Sequence, residues 1–120
     1  MKFELTQSFY FEAAHTLERA YETESSRRVH GHTYTAKVTV SGQPDARTGM
    51  VVDLAQLRAA VAQLREQLDH RMLDDLADLG PATLENLCRY IYAQLKRADW
   101  IITRVEVGRG ASGDACTLTL

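Results

Sequence analysis

The strongest constraint on the fold of this chain is the order in which its hydrophobic periodicities follow one another. Both ends alternate apolar and polar residues with the two-residue period of a half-buried strand, whereas two central segments repeat apolar residues every three or four positions, as amphipathic helices do. Asp53 and Thr83 precede these segments, where a side-chain oxygen can cap free helical N–H groups. The sequence therefore predicts strand, strand, helix, helix, strand, strand at residues 3–11, 33–41, 53–68, 83–95, 101–107 and 116–120.

This order of elements indicates an α+β fold in one domain, residues 1–120. A chain of 120 residues has the length of a single domain and buries roughly two-thirds of its unfolded surface, enough for a hydrophobic core. Strand pairs on both sides of two helices predict an antiparallel sheet with the helices on one face. We expect the other face to carry Phe, Val and Leu, and both sheet edges to be open, which favours closure by oligomerisation.

The charge balance excludes two classes of partner. Fourteen Lys and Arg stand against sixteen Asp and Glu, a net charge of −2, so the chain lacks the basic field that holds nucleic acid or an anionic membrane.

No segment approaches the ~20 apolar residues of a membrane helix, and the N-terminus lacks the apolar stretch of a signal peptide. With only two cysteines, Cys88 and Cys116, a cytoplasmic protein with free thiols is expected.

Three of the four histidines are placed to bind a metal ion together. His30 and His32 are two residues apart, so both imidazoles point to one face of an extended segment. His15 follows the first predicted strand, and pairing of that strand with the second can bring it beside the other two. Three neutral imidazoles with an open fourth position form the ligand set of a catalytic zinc ion. The same spacing also fits surface histidines at a strand start, and spacing alone leaves both interpretations open.

A second candidate site is the pair Asp69-His70. A carboxylate beside an imidazole can fix its tautomer and raise its basicity. The pair can work only if the preceding helix has ended by residue 69, because neighbours on a helix do not face one another. The alternative is a histidine at a helix C-terminus, where the helix dipole favours it. The polar segment 16–29 is predicted to be a long loop, and loops of this length are usually functional.

Five motifs follow one another along the chain. They are Phe11-Glu-Ala-Ala-His15, His30-Gly-His32 followed by Thr33-Tyr34, Thr48-Gly-Met-Val-Val-Asp53, Leu68-Asp-His-Arg-Met-Leu-Asp74 and Thr83-Leu-Glu-Asn-Leu87. This ordered set resembles the 6-pyruvoyl-tetrahydropterin synthase and 6-carboxytetrahydropterin synthase family over nearly the whole chain. The resemblance implies the T-fold, whose subunits join their sheets into a barrel as a trimer or as two stacked trimers, with active sites at subunit interfaces.

The resemblance also implies roles for individual residues in binding a small-molecule substrate. By residue-level match, the zinc ligands would be His15, His30 and His32. Asp69 and His70 would be two of the three members of a proton-transfer relay. Glu85, together with Thr83, would line the pterin pocket.

The chain departs from the family pattern at two positions. The third relay member of the family is a cysteine four residues before the His-Gly-His motif, and Ser26 stands there. A serine hydroxyl is a far weaker base than a thiol, so Ser26 is expected to hydrogen-bond a substrate hydroxyl. Arg109 stands where the family carries a glutamate that binds the pterin, and its guanidinium suits a carboxylate or phosphate. The alternative for Arg109 is a solvated side chain in a hairpin loop.

These departures lead to a functional hypothesis. We expect a zinc-dependent lyase-type enzyme that resembles this family but acts on an altered substrate, an anionic carboxylate or phosphate rather than a standard pterin. Its catalytic residues would be His70, Asp69 and Ser26. Arg109, Glu85 and Thr83 would bind the substrate. The first alternative is an ordinary 6-carboxytetrahydropterin synthase that tolerates both substitutions and acts on dihydroneopterin triphosphate. The second is a non-catalytic zinc-binding or ligand-binding paralogue, in which loss of the cysteine is expected.

Overall fold

A computed structural model describes all residues 1–120 and contains the predicted order of strands and helices. The first strand extends to His15 and the second begins at His30, so both strands are longer than predicted. Two additions interrupt the predicted order, a five-residue helix within the 16–29 loop and a two-residue strand after the first long helix. The elements are β1 (Phe3–His15), α1 (Thr23–Arg27), β2 (His30–Gly42), α2 (Leu54–Leu68), β3 (Arg71–Met72), a 3-10 turn (Leu73–Asp75), α3 (Leu84–Leu95), β4 (Ile101–Arg109) and β5 (Asp114–Thr119).

The strands form one five-stranded sheet in the order β3-β1-β2-β4-β5. β1 and β2 pair in antiparallel fashion along their whole length, from Phe3 opposite Gly42 to His15 opposite His30. β2–β4 and β4–β5 are also antiparallel. β3 is the exception, because it pairs with β1 in parallel through only two residues of each strand. Most of β1 and all of β5 therefore remain as open sheet edges, as the sequence predicted.

The hydrophobic core lies between one face of the sheet and the two long helices. Each helix presents its apolar stripe to the sheet, and both predicted caps are confirmed: the Asp53 carboxylate accepts from Ala55 N at 2.9 Å, and Thr83 Oγ1 accepts from Asn86 N at 3.1 Å. The largest buried side chains of this layer are Phe11, Tyr34, Val38, Val40, Leu57, Leu64, Leu68, Leu87, Ile91 and Leu95.

The prediction that the uncovered sheet face carries Phe, Val and Leu is wrong. That face bears polar side chains, with a hydrogen bond between Thr6 and Thr39 at 2.9 Å and an ion pair between Lys37 and Glu106 at 3.9 Å. The reason is that each strand has one apolar set of alternate residues, and the helices already cover it. The longest helix, α2, has 15 residues, and no helix is both long and apolar enough to cross a membrane.

Candidate metal centre and active site

The pairing of β1 with β2 brings the three histidines of the predicted zinc site together. His15 lies opposite His30, and His32 lies opposite Ala13, so all three imidazoles stand on the helix-covered face at one end of the sheet. One nitrogen from each histidine lies within 4.8 Å of the others. The predicted convergence of the three side chains is confirmed, and we call this cluster the histidine triad.

Backbone carbonyls fix the orientation of two of these imidazoles. The Nδ1–H groups of His15 and His30 donate to Ala82 O at 3.1 Å and to Arg28 O at 2.8 Å. These bonds leave the Nε2 lone pairs free, the arrangement that metal-binding histidines adopt. His15 Nε2 lies 3.1 Å from His32 Nε2, close to the ~3.3 Å that separates two nitrogens on a tetrahedral zinc at ~2.0–2.1 Å. The donor set therefore fits a zinc ion.

The electrostatic surroundings favour the neutral form of two triad members, His15 and His32, and neutral imidazole is the form that binds a metal,. Burial, together with the neighbouring His30, lowers the pKa of His15. Burial and the nearby Arg109 guanidinium lower the pKa of His32 to about 4. At neutral pH, these two imidazoles therefore have free lone pairs.

The end of β1 is tied to the 3-10 turn next to the triad. The Asp74 carboxylate accepts from Thr16 N at 3.0 Å and also from the Thr16 hydroxyl. Partial burial opposes ionisation, but these hydrogen bonds outweigh it and lower the pKa of Asp74. Asp74 thus anchors the backbone immediately after His15 and places a negative charge near that imidazole.

Helix α1 carries Ser26 to the same site. Ser26 N donates to Glu22 O at 3.1 Å and Ser26 O accepts from Leu17 N at 2.8 Å, so the loop folds back on itself and buries the serine. Ser26 borders a cavity of about 620 Å³ that His30 and His32 also line. We call this space the triad cavity.

Arg109 faces the histidine triad from the end of β4. Its Nη1 lies 3.4 Å from His32 Nε2, and its Nη2 donates to Asp114 Oδ2 at 2.8 Å. The side chain is 21% exposed, so Arg109 is not a solvated hairpin residue. Its Nε and the hydroxyl of nearby Tyr34 are both buried without a hydrogen-bond partner.

The Asp69-His70 pair forms because α2 ends at Leu68. His70 adopts a left-handed backbone conformation with φ of 58°, which turns its ring back so that Nδ1 lies 2.9 Å from Asp69 Oδ2. The condition set by the sequence, that the helix ends by residue 69, is met. Asp69 also accepts from Glu12 N at 2.9 Å, and this bond lowers its pKa below the usual value.

Within one chain, His70 does not border the triad cavity. It borders a second cavity, of about 550 Å³, which Glu12, Thr33 and Arg71 line and which His32 of the triad also borders. The structure brings Ser26 and Arg109 to the triad cavity but leaves Asp69 and His70 outside it.

Comparison with known proteins identifies the family. The family model described as 6-pyruvoyl tetrahydropterin synthase matches residues 4–118, nearly the whole chain. The chain belongs to the 6-pyruvoyl tetrahydropterin synthase family. The resemblance that the motifs carried is therefore confirmed.

Members of this family with curated names are about a third identical to the chain over the residues that align. It is 39% identical over 71 residues to 6-pyruvoyl tetrahydrobiopterin synthase of Drosophila melanogaster, covering 56% of the chain but only 42% of that protein. It is 35% identical over 97 residues to 6-carboxy-5,6,7,8-tetrahydropterin synthase of a Synechocystis strain, covering 77% and 74% of the two chains. It is 32% identical over 97 residues to dihydroneopterin monophosphate aldolase of Pyrococcus furiosus, covering 81% and 78%.

The solved structure of 6-pyruvoyl tetrahydropterin synthase from Caenorhabditis elegans has the same fold. It superposes with a TM-score of 0.82 at 24% identity, covering all of this chain and 96% of that one. The predicted T-fold is confirmed for the single chain.

Thr83 and Glu85, to which the resemblance gives substrate-binding roles, do not border the triad cavity. Thr83 is occupied as the cap of α3, Glu85 is exposed in the first turn, and the intervening Leu84 borders the cavity instead. The roles of Thr83 and Glu85 in substrate binding stay predictions.

Sequence reasoning did not select Glu12, whose Oε2 lies 3.9 Å from His70 Nε2. No local signal links these residues, because parallel pairing of β3 with β1 brings them together.

Proposed function

We propose that this protein is a zinc-dependent lyase of the tetrahydropterin synthase family that acts on a small molecule carrying a carboxylate or phosphate rather than on a standard pterin. The observation that carries the proposal is the position of Arg109, whose guanidinium lies 3.4 Å from a nitrogen of the triad. A guanidinium next to a dication is unfavourable unless an anion lies between them. The site is therefore suited to an anionic group that contacts both.

The histidine triad would hold the metal through His15, His30 and His32. When bound, zinc supplies Lewis-acid chemistry that polarises a ligand oxygen and acidifies the adjoining C–H or O–H group. The chain contributes the fixed orientation of the ligands, because carbonyls hold the imidazoles of His15 and His30 in one tautomer. Ser26, buried in the same cavity wall, would hydrogen-bond a substrate hydroxyl.

Proton transfer would fall to His70. Its Nδ1–H donates to Asp69, so Nε2 is the nitrogen that can accept a proton from substrate,. Because His70 lies outside its own triad cavity, we propose that a homo-oligomer, a trimer or hexamer, places this pair against the triad cavity of a neighbouring subunit. The open edges of β1 and β5 support such an assembly,. Thr83 and Glu85 would complete the substrate pocket.

A second candidate is an ordinary 6-carboxytetrahydropterin synthase. The Synechocystis relative of that name, 35% identical over three-quarters of both chains, favours it. The name of the aldolase relative from Pyrococcus furiosus also specifies a phosphorylated pterin, which is compatible with this second candidate. Efficient turnover of dihydroneopterin triphosphate by the unmodified chain would favour the second candidate and make Ser26 and Arg109 tolerated variations.

The zinc assignment is tested by metal analysis of protein purified without chelators. We expect close to one zinc per chain, and its loss in the double variant His30→Ala, His32→Ala. The matched control is His70→Ala, which removes a histidine outside the triad and should retain zinc. Stoichiometric zinc in the double variant would overturn the assignment.

The anion assignment is tested by thermal stabilisation of the zinc-loaded protein, because a ligand that binds the native state raises its stability by mass action. Small carboxylates and phosphates should stabilise the protein more than neutral pterins do. A desolvated charge-assisted hydrogen bond contributes about 1.5–3 kcal/mol, so Arg109→Glu should weaken anion binding roughly ten- to over a hundredfold. The double variant Ser26→Cys, Arg109→Glu should recover family-type pterin chemistry if these two residues define the change.

A further inference from the structure

The carboxylate of Asp114 already pairs with the guanidinium of Arg109, the group proposed to bind the anionic substrate. Arg109 and Asp114 are the last residue of β4 and the first of β5, and they pair directly across the hairpin. Nη2 of Arg109 donates to Asp114 Oδ2 at 2.8 Å. Both residues border the triad cavity beside His30 and His32. An internal carboxylate therefore stands where an external one would be recognised.

This internal pair leaves other hydrogen-bonding groups unsatisfied. Arg109 Nε and Tyr34 OH are buried and have no partner while the guanidinium is held by Asp114. Tyr34 precedes Thr35, and Thr35 pairs with Gly108, the residue before Arg109. Tyr34 therefore lies close enough to Arg109 for the guanidinium charge to act on its phenol. Buried polar groups in native proteins are nearly always paired. Arg109, which borders the cavity, therefore has an unpaired N–H donor available for an oxyanion that enters it.

We propose that Asp114 sets the ligand specificity of this site by competing for Arg109. Because the Asp114 carboxylate belongs to the same chain, it acts on Arg109 at an effective concentration on the order of millimolar or more. An anion such as chloride, which contacts only Arg109, therefore does not displace the Asp114 carboxylate. An oxyanion with a second oxygen for the metal held by the histidine triad gains a further contact and does displace it. The inference rests on the proposed function, because it requires that Arg109 binds an anion. It assigns the ligand to phosphates and carboxylates and excludes halides.

The test is binding of inorganic phosphate to the zinc-loaded chain of 120 residues, measured by isothermal titration calorimetry in low-chloride buffer. Asp114→Asn should lower the apparent Kd about tenfold and should make phosphate binding sensitive to added chloride. The matched control is Glu22→Gln, which removes a carboxylate from the same cavity wall without a bond to Arg109. Glu22→Gln should change the apparent Kd for phosphate by no more than about threefold, the effect expected from removing one nearby charge.

A double-mutant cycle with Arg109→Ala separates competition from charge. If Asp114 acts through Arg109, Asp114→Asn changes the Kd for phosphate by no more than about threefold in the Arg109→Ala background, and the tenfold gain is lost. Circular dichroism verifies that each variant is folded, and Asp114→Ser serves as the second variant should the hairpin not tolerate asparagine.

The outcomes distinguish this inference from the proposed function. Phosphate binding that is unchanged in Arg109→Ala overturns the anion site itself. Binding that depends on Arg109 but responds equally to Asp114→Asn and Glu22→Gln overturns the competition and leaves the anion site standing. A tenfold gain that disappears without Arg109 supports the role of Asp114.

Discussion

Replacing Tyr34 by phenylalanine should stabilise the metal-free protein. Tyr34 is only 1% exposed, its hydroxyl has no hydrogen-bond partner, and burial raises its pKa to about 12, so the O–H remains a neutral, unsatisfied donor. In the unfolded chain the same hydroxyl bonds to water, and leaving it unpaired in the native state costs about 1–3 kcal/mol. Phenylalanine keeps the ring, which stacks on Phe11 with centroids 4.9 Å apart.

The expected size of the effect follows from the length of the chain. With about 2.1 cal/mol/K of unfolding entropy per residue, a chain of 120 residues shifts its Tm by roughly 4 °C per kcal/mol. Tyr34→Phe should therefore raise the Tm by about 4–12 °C, measured by calorimetry on metal-free protein and verified by denaturant unfolding. The control is Tyr10→Phe, because Tyr10 is 58% exposed and its hydroxyl is free to bond water.

A lower Tm for Tyr34→Phe would refute the reasoning, because it would mean that the hydroxyl makes a stabilising bond in solution. A gain in stability would instead show that the hydroxyl is retained at a cost beside His32 and Arg109. Such a cost is common where function opposes stability.

Three other perturbations test separate features. Thr103 Oγ1 is also buried without a partner, so the isosteric Thr103→Val should raise the free energy of unfolding by about 1 kcal/mol, and a lower Tm would contradict this. Partial burial raises the pKa of Asp74, but hydrogen bonds from Thr16 more than compensate and hold it below the usual 3.8. Asp74 therefore stabilises the fold above that value and loses its contribution as the pH falls through the lowered pKa. Acid unfolding followed by circular dichroism should be shallower in Asp74→Asn, and an unchanged acid profile argues against this role. Leu120 N donates inward to Thr103 O, and since inward and outward N–H groups alternate, the Thr117 N–H points to the open edge of β5. Thr117→Pro should reduce the oligomer mass in light scattering while the subunit stays folded, whereas Thr117→Ala should not; a monomeric unmodified protein at micromolar concentration would contradict assembly through this edge.

Much of the fold was predictable because its causes are local. The two-residue and 3.6-residue periods gave the six main elements, and the caps at Asp53 and Thr83 lie where the sequence placed them. The two-residue spacing of His30 and His32 also determined that both imidazoles point to one face. The expectation for the uncovered sheet face was wrong because each strand has a single apolar set, and that set packs under the helices.

The composition of the site was decided by tertiary structure. Whether His15 meets His30 depends on the register of a 13-residue strand pair, and a shift of one residue would turn the side chains of one strand to the other face. Ser26 reaches the triad cavity only because the short helix α1 folds the loop inward.

The position of Arg109 and the left-handed backbone conformation of His70 both depend on pairing between strands that are distant in sequence. β4 must pair with β2 to place Arg109 beside His32, although the two residues are far apart in sequence. His70 holds a costly backbone conformation because its N–H donates to Glu12 O at 2.6 Å and the next two residues pair with β1. Local sequence determines which elements form and which face each residue takes, whereas the contacts that make a site depend on pairings between segments that no local pattern encodes.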